Sequence, residues 1–547
     1  MRQAWAQALT KELKGILIDR KACRIEEPLS TDKVIPVMDV HRCKIDKNGL
    51  IDKLKTRCVF RGDLYEPEDQ MDTWNPQASF LSLKVFLATC ARLKMKMHQT
   101  DFLLAYLQSD MRERVFVKFP EVWKEFVPGY LHKWLGRPLL LLKALYGYNY
   151  SGKFLYLDQA EFLKAQGLEE TALPGLWVKH LPEGHTLLFL HYVDNILSAC
   201  SDPEEHRRFL KALARRFDVE TKEVADWYLQ TRIQQDKDFN VTLDQRRYCL
   251  SMLQRFLPNF ASVEPTETEK SKYAAPLQYE AELSMIDSSK SKDEVEELEQ
   301  EYGFRFIEVV GAFNWLSYTC YEEIFAIRKL CRFMNLPGRK HFQAALHLLH
   351  HFRCHPPRPL IYYSNLDDAP VTKLLAEVEG FDKFDPTFLV FADSAHGDCD
   401  QRRSTACDLQ VYQGGLIDHV SWVPKPIPMS TAESENNCYS AAIMRMRFTK
   451  KAICKILFMD ENAPLTVPIL VDSSAAIAMN LSENPTKRTR HVDTRYWYGR
   501  TSIMDGHAAL VKVDGATQQA ADPGTKNMRD RESQYYRYLF ECPYWPT

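Results

Sequence analysis

This sequence has no excess of charge of either sign, no long apolar run and no cysteine framework, and each absence removes a class of protein. Its 71 basic and 73 acidic side chains leave a net charge of -2. The chain as a whole therefore exerts no long-range pull on nucleic acid, and any such binding must come from local grooves. No run of about eighteen apolar residues occurs. Met1 is followed by Arg2, Lys11, Glu12 and Lys14 rather than by a signal-peptide core. Neither a membrane segment nor a secretion signal is expected. The 14 cysteines, scattered from Cys23 to Cys542, include no C-x-x-C pair. That pattern predicts free thiols in a reducing, intracellular compartment.

What is present is ordinary globular material, 547 residues long, 45% hydrophobic and 26% charged, enough for about three or four domains. From Thr186 to Cys200 two apolar, strand-like runs flank Asp194-Asn195, a pair suited to a tight turn. The stretch predicts a hairpin with a carboxylate at its tip. Met95 to Gln108 reads as a strand ending at Asp101 and passing into a helical turn. Two carboxylates so placed are the minimum geometry for holding Mg²⁺ through hard oxygen ligands. In Leu54 to Gly62, basic and apolar side chains alternate, which predicts a strand with one cationic face, suited either to phosphate or to a solvated sheet edge.

Helix starts follow at Ser201-Asp202-Pro203-Glu204 and over Arg246 to Phe256. Residues 261–302, rich in Glu, Lys, Ser, Asp and Thr, predict a charged, solvated linker with a helix near Asp293 to Glu301. Beyond it, His347, His350, His351, Cys354 and His355 lie at helical spacing. That pattern is compatible with zinc ligation, although no flanking ligand pair closes a site and plain helix surface explains it as well.

The last third repeats the carboxylate theme. A strand over Thr387 to Ala392 delivers Asp393, with antiparallel neighbours over Arg403 to Tyr412 and Leu416 to Trp422 and a turn at Gly414-Gly415. Ser430 opens a helix carrying Glu433 and Glu435. Pro468 to Val471 ends at Asp472, and Asp522 lies near the end. Any one of these acids serves equally well as a cap or turn residue. As a cluster they would raise one another's pKa unless metal neutralised them.

Quoted in order, Lys55-x-Arg57, Thr73-Trp74-Asn75-Pro76, Gln99-Thr100-Asp101 with Ala105-Tyr106, Val115-Phe116-Val117-Lys118-Phe119-Pro120, Leu142-Lys143-Ala144-Leu145-Tyr146-Gly147 and Tyr192-Val193-Asp194 form a series of blocks. The series resembles the reverse transcriptase of copia-type long-terminal-repeat retrotransposons. Ser151-Gly152-Lys153 is similar to the branch found in diatoms and related algae. Val309 to Leu316 resembles the family's connection block. Asp393, Glu435, Asp472 and Asp522, with Arg402-Arg403-Ser404-Thr405 and Arg490-His491-Val492-Asp493, resemble its ribonuclease H.

The resemblance implies an α+β, multidomain right-hand polymerase followed by a ribonuclease H-like mixed α/β domain. Fingers and palm would fill 1–200, thumb 201–260, linker 261–302, connection 303–386 and ribonuclease H 387–547. Asp101 and Asp194 would be the palm acids, with Asn195 where a second Asp is usual; Asp393, Glu435, Asp472 and Asp522 would be the nuclease acids. Each centre would hold two Mg²⁺, with Mn²⁺ as a substitute. Lys55, Arg57 and Tyr106 would meet the incoming nucleotide, Tyr106 as a steric gate. Arg488, Arg490, His491 and Arg495 are candidates for gripping an RNA:DNA hybrid.

The implied partners are an RNA template, a DNA or tRNA primer, deoxynucleoside triphosphates and other products of the polyprotein, with no membrane. The implied locations are the cytoplasm, in a virus-like particle, and the nucleus. No zinc-knuckle pattern and no protease or integrase block is visible. Asn195 removes one negative charge and predicts a weakened polymerase. The competing expectation is a polymerase-inactive nucleic-acid-binding relic that keeps its ribonuclease H.

Overall fold

The computed structural model describes residues 2–45, 51–66, 72–278, 283–399, 402–425, 427–459, 465–481, 494–528 and 539–541. The architecture is mixed α/β and falls into two compact units. The first comprises Met1–Ala78, His98–Glu170 and Trp177–Glu223; the second comprises Ser79–Met97, Thr171–Leu176 and Val224–Thr547. Among the described residues no helix is long and apolar enough to cross a membrane.

The first unit holds two sheets. One orders Cys23–Ile25, Pro138–Leu141, Phe116–Lys118, Val34–Ile45 and Ile51–Phe60, so the strand with the cationic face is an edge strand. Its alternation works as expected: Thr56, Cys58 and Phe60 point into the core while Lys55 and Arg57 take the other face, half-buried. The helix Arg2–Lys14 buries Leu9, Glu12 and Leu13. The second sheet orders Val219–Lys222, Met97–Phe102, Asn195–Cys200, Thr186–Tyr192, Leu176–His180 and Glu169–Glu170. Its core includes Phe102, Leu155, Trp177, Phe189 and Ile196. The apolar hairpin strands lie in its centre because both their faces are buried.

In the second unit a helical cluster is built on Phe306–Leu316, Ile324–Cys331 and Arg339–Cys354. Residues 261–302 depart from the solvated linker expected of them. Leu277, Leu283 and Leu298 are buried in this cluster; the helix expected near Asp293 to Glu301 is present as Lys292–Tyr302, capped by Ser291. The histidine-rich helix is equally unlike a zinc site. His347 Nε2 meets Ala275 O at 3.0 Å, His351 Nδ1 meets Tyr273 O at 2.7 Å and His355 Nε2 meets Lys270 O at 2.9 Å. Ring nitrogens that composition offered to a metal instead satisfy carbonyls of a segment without strand partners.

A five-stranded sheet orders Gly415–Trp422, Thr405–Tyr412, Phe388–Ala395, Val467–Val471 and Ala508–Lys512. The first three are antiparallel and the last two pairings are parallel. Over it lies the helix Thr431–Ile456, with Ser430 Oγ accepting from the Glu433 N–H at 3.2 Å as its N-cap.

Candidate functional site

In the first unit the hairpin carries the expected carboxylate, but its turn lies one residue earlier than composition suggested. Tyr192 pairs with Asn195, leaving Val193 and Asp194 as the two turn residues. Val193 has φ 54, a left-handed value that is costly for a β-branched side chain and ordinarily taken by glycine at such a turn. Asn195 therefore begins the return strand, and its Oδ1 accepts from Gln99 Nε2 at 2.9 Å.

The Phe102 N–H donates to Asp194 O at 2.8 Å, which sets the exposed hairpin tip beside Asp101 at the end of the neighbouring strand. Asp101 is half-exposed, and Lys222 Nζ stands 3.9 Å from its Oδ2. Tyr106 follows in a short turn. Burial raises its phenol pKa, with the nearby Asp194 charge adding to the shift. Its ring meets Tyr146 edge-on at 4.8 Å. Arg57 lies 4.5 Å over the Tyr146 ring, and its Nη1 is 3.1 Å from Glu12 Oε2. Burial raises the Glu12 pKa and the Arg57 charge opposes that. Lys55, Arg57, Tyr106, Asp101 and Asp194 all lie in this unit.

The other centre follows from strand register. Phe391 is level with Leu470 on parallel strands, so Asp393 and Asp472, each two residues further on, emerge side by side at their carboxyl ends. Glu435, in the second turn of the overlying helix, completes a group whose ligand oxygens lie within 4.8 Å of one another. Glu433, two residues earlier, instead accepts from the Met429 N–H at 2.8 Å at the helix start. Asp393 and Glu435 are buried. Burial and the neighbouring carboxylates push Asp393 up to about 7 and Glu435 up to about 9.

Thr525 Oγ1 donates to Asp393 Oδ2 at 2.5 Å. Asp522 adjoins Asp393 but is bound by Lys526 at 2.5 Å and stands outside the group of three. A Cβ on Gly515 would come 2.7 Å from Asp472 Oδ2, so a larger residue there would shift that oxygen. Arg488, Arg490 and His491 lie outside the described residues; Arg495 is in the helix Thr494–Met504, its side chain likewise outside them. Sequence reading passed over Glu12, Gln77 and Gln159, whose roles depend on contacts distant in the chain, and over Lys526, which pairs with Asp522 four residues before it; Gln99 was legible as part of the Gln99-Thr100-Asp101 block.

The reverse transcriptase (RNA-dependent DNA polymerase) family matches residues 23–268. Three curated relatives are each 24% identical to the chain: the retrovirus-related Pol polyproteins from transposon TNT 1-94 of Nicotiana tabacum and from transposons RE1 and RE2 of Arabidopsis thaliana. They cover 89%, 96% and 95% of this chain.

The chain is similar to copia-type retrotransposon Pol polyproteins, and its residues 23–268 match the reverse transcriptase family.

It spans about a third of these relatives' length, 34%, 33% and 33% respectively. Among solved structures, an LC11 ribonuclease H1 isolated from compost aligns at 10% identity and a TM-score of 0.20, covering 25% of this chain and 92% of its own. Asp101 and Asp194 fall within the residues matched to the reverse transcriptase family, and the three clustered acids fall beyond them.

Proposed function

We propose that this chain is an RNA-directed DNA polymerase joined to a ribonuclease H that removes RNA from RNA:DNA hybrids. The observation that carries the reading is the coexistence of two centres in one chain. Asp101, near the end of a strand, and Asp194, in the adjoining hairpin turn, lie in the matched domain, and a separate group of three acids, two near strand ends and one on a helix, lies beyond it. The second centre fits divalent cations: its oxygens converge, two of its acids are buried, and Glu435 Oε2 has no hydrogen-bond partner among the described residues. Such a set is costly to ionise without a cation.

Bound Mg²⁺, or Mn²⁺ in its place, supplies the charge that stabilises the ionised acids and polarises the phosphoryl group. In this reading Asp101 and Asp194 hold the ions for extension, while Asp393, Glu435 and Asp472, with Asp522 alongside, hold them for hydrolysis. Arg57, braced by Glu12 and Tyr146, binds the triphosphate together with Lys55. Tyr106 lies against Asp194, where its ring crowds a ribose 2′-hydroxyl. Arg488, Arg490, His491 and Arg495 grip the hybrid backbone.

Fingers and palm occupy 1–200, thumb 201–260, connection 303–386 and ribonuclease H 387–547, with 261–302 packed as a strap between thumb and connection sequence. The substrates are an RNA template, a DNA or tRNA primer and deoxynucleoside triphosphates, and the setting is intracellular, among other products of the polyprotein.

One observation favours a second reading, a polymerase-inactive relic that keeps its nuclease. Asn195 places a neutral amide, already engaged by Gln99, where an acid would add negative charge. Two assays separate the readings. Cleavage of a labelled RNA:DNA hybrid in Mg²⁺ is expected for the parent and not for Asp393→Asn or Asp472→Asn; equal cutting by all three refutes the nuclease centre. Primer extension on an RNA template is expected to be slow in the parent. Its absence in both parent and Asn195→Asp establishes the relic.

A further inference from the structure

We infer that Gln77 is a positioning residue that holds the strained hairpin turn, and with it Asp194, in place. The inference rests on the reading of that hairpin as the polymerase's metal-holding tip. Val193 stands in a left-handed conformation that its side chain disfavours, and such a conformation persists only where surrounding contacts over-determine it. Those contacts are present on both sides of the residue. The Val193 N–H donates to Gln77 Oε1 at 2.7 Å, and Val193 O accepts from Gln159 Nε2 at 3.3 Å.

Gln77 is itself oriented. Its Nε2 donates to Asn75 Oδ1, so the carbonyl end of the amide is the one turned to the hairpin. The next residue, Ala78, donates its N–H to His191 O at 3.1 Å. Residues Thr73 to Ala78 thus form a strap along the hairpin's first strand. The strap is pinned at its other side to the start of the helix Ser151–Ala165: Lys153 Nζ donates to Trp74 O at 2.9 Å. A Cβ on Gly152 would come 3.2 Å from Asn75 Nδ2. Three glutamines from separate segments, Gln77, Gln99 and Gln159, therefore fix residues 193 and 195 on either side of Asp194. A two-residue turn this closely held keeps its carboxylate stationary as substrates arrive, which is the condition for productive alignment.

The test combines exchange and kinetics in the full chain. Amide hydrogen exchange is measured over residues 186–200 in the parent, Gln77→Leu and Gln77→Glu. Loss of Val193 protection is expected in Gln77→Leu, with retention in Gln77→Glu, whose carboxylate still accepts the N–H. Unchanged protection in Gln77→Leu overturns the proposal whatever the activity. Primer extension is then measured in an Asn195→Asp background. Gln77→Leu is expected to lower kcat about 10- to 100-fold while leaving the nucleotide KM within about threefold.

Val193→Gly, which takes the left-handed turn without strain, is expected to remove most of that loss when combined with Gln77→Leu. An equal loss with Val193 and with Gly at that position overturns the positioning role. Asp194→Ala separates the two levels: if it extends primers like its parent, the reading of the hairpin fails. If it is dead while Gln77→Leu is unimpaired, the inference about Gln77 fails alone.

Discussion

Asn195 begins the return strand of the hairpin, and its Oδ1 accepts from Gln99 Nε2 at 2.9 Å. Restoring a carboxylate there adds a negative charge beside Asp194 without moving the turn, since Tyr192 and residue 195 still pair. Asn195→Asp is therefore expected to raise the primer-extension rate in Mg²⁺ by at least about tenfold, measured as single-turnover incorporation; no gain removes Asn195 as the source of impairment.

Glu435 yields a second residue-level expectation, this one in pH. Its pKa is pushed up to about 9 by burial and by Asp393 and Asp472, far above an ordinary glutamate. The metal-free folded state thus binds a proton that the unfolded state releases near the ordinary value of about 4.3. The stabilisation is full below that lower value and is lost as pH rises through about 9. Glu435→Gln, which stays neutral, is expected to flatten the fall in thermal midpoint between pH 5 and 9 and to weaken the stabilisation by added Mg²⁺. A parental midpoint equally insensitive to pH contradicts this.

At the level of elements, composition found most strands and helices, and tertiary contacts set how they were used. Both hairpins were legible from apolar runs around turn-forming pairs, yet both turns lie one residue early, at Val193-Asp194 and at Gln413-Gly414. Turn preference ranks residues by what their own backbone tolerates. Register answers to the whole sheet, because a slip by one residue turns every side chain to the opposite face. The charged stretch 261–302 misled for a related reason: three of its apolar residues, Leu277, Leu283 and Leu298, are buried in the helical cluster, while Asp293, Glu294, Glu296 and Glu297 face water. Leu298→Ala is expected to destabilise the second unit by about 2 to 4 kcal/mol, read as a lower urea or thermal midpoint. An unchanged midpoint, with rapid proteolysis within 261–302 in the parent, would restore the linker.

For the whole molecule, the two centres lie in different compact units. Asp101→Asn is expected to reduce primer extension at least about 100-fold and to leave hybrid cleavage within about twofold. Asp393→Asn is expected to do the reverse, both being assayed on the same preparations. Joint loss of both activities in either variant contradicts independent centres.

The sequence by itself determined the similarity to copia-type polyproteins, the strands that carry Asp101, Asp393 and Asp472 near their carboxyl ends, and the hairpin that displays Asp194. These depend on local pattern: apolar runs make strands, and an acid at a strand end emerges at the sheet edge. Only the tertiary structure decided which side chains share a centre. It placed Glu435 with Asp393 and Asp472 while Glu433 accepts from the Met429 N–H, tied Asp522 to Lys526, and engaged Arg57 with Glu12. It also turned a row of histidines to backbone carbonyls and closed Gln77 onto a strained Val193. The physical reason is common to all of these. Where a side chain ends up depends on burial, charge and hydrogen-bond partners, near as well as distant in the chain, and local pattern does not choose among them.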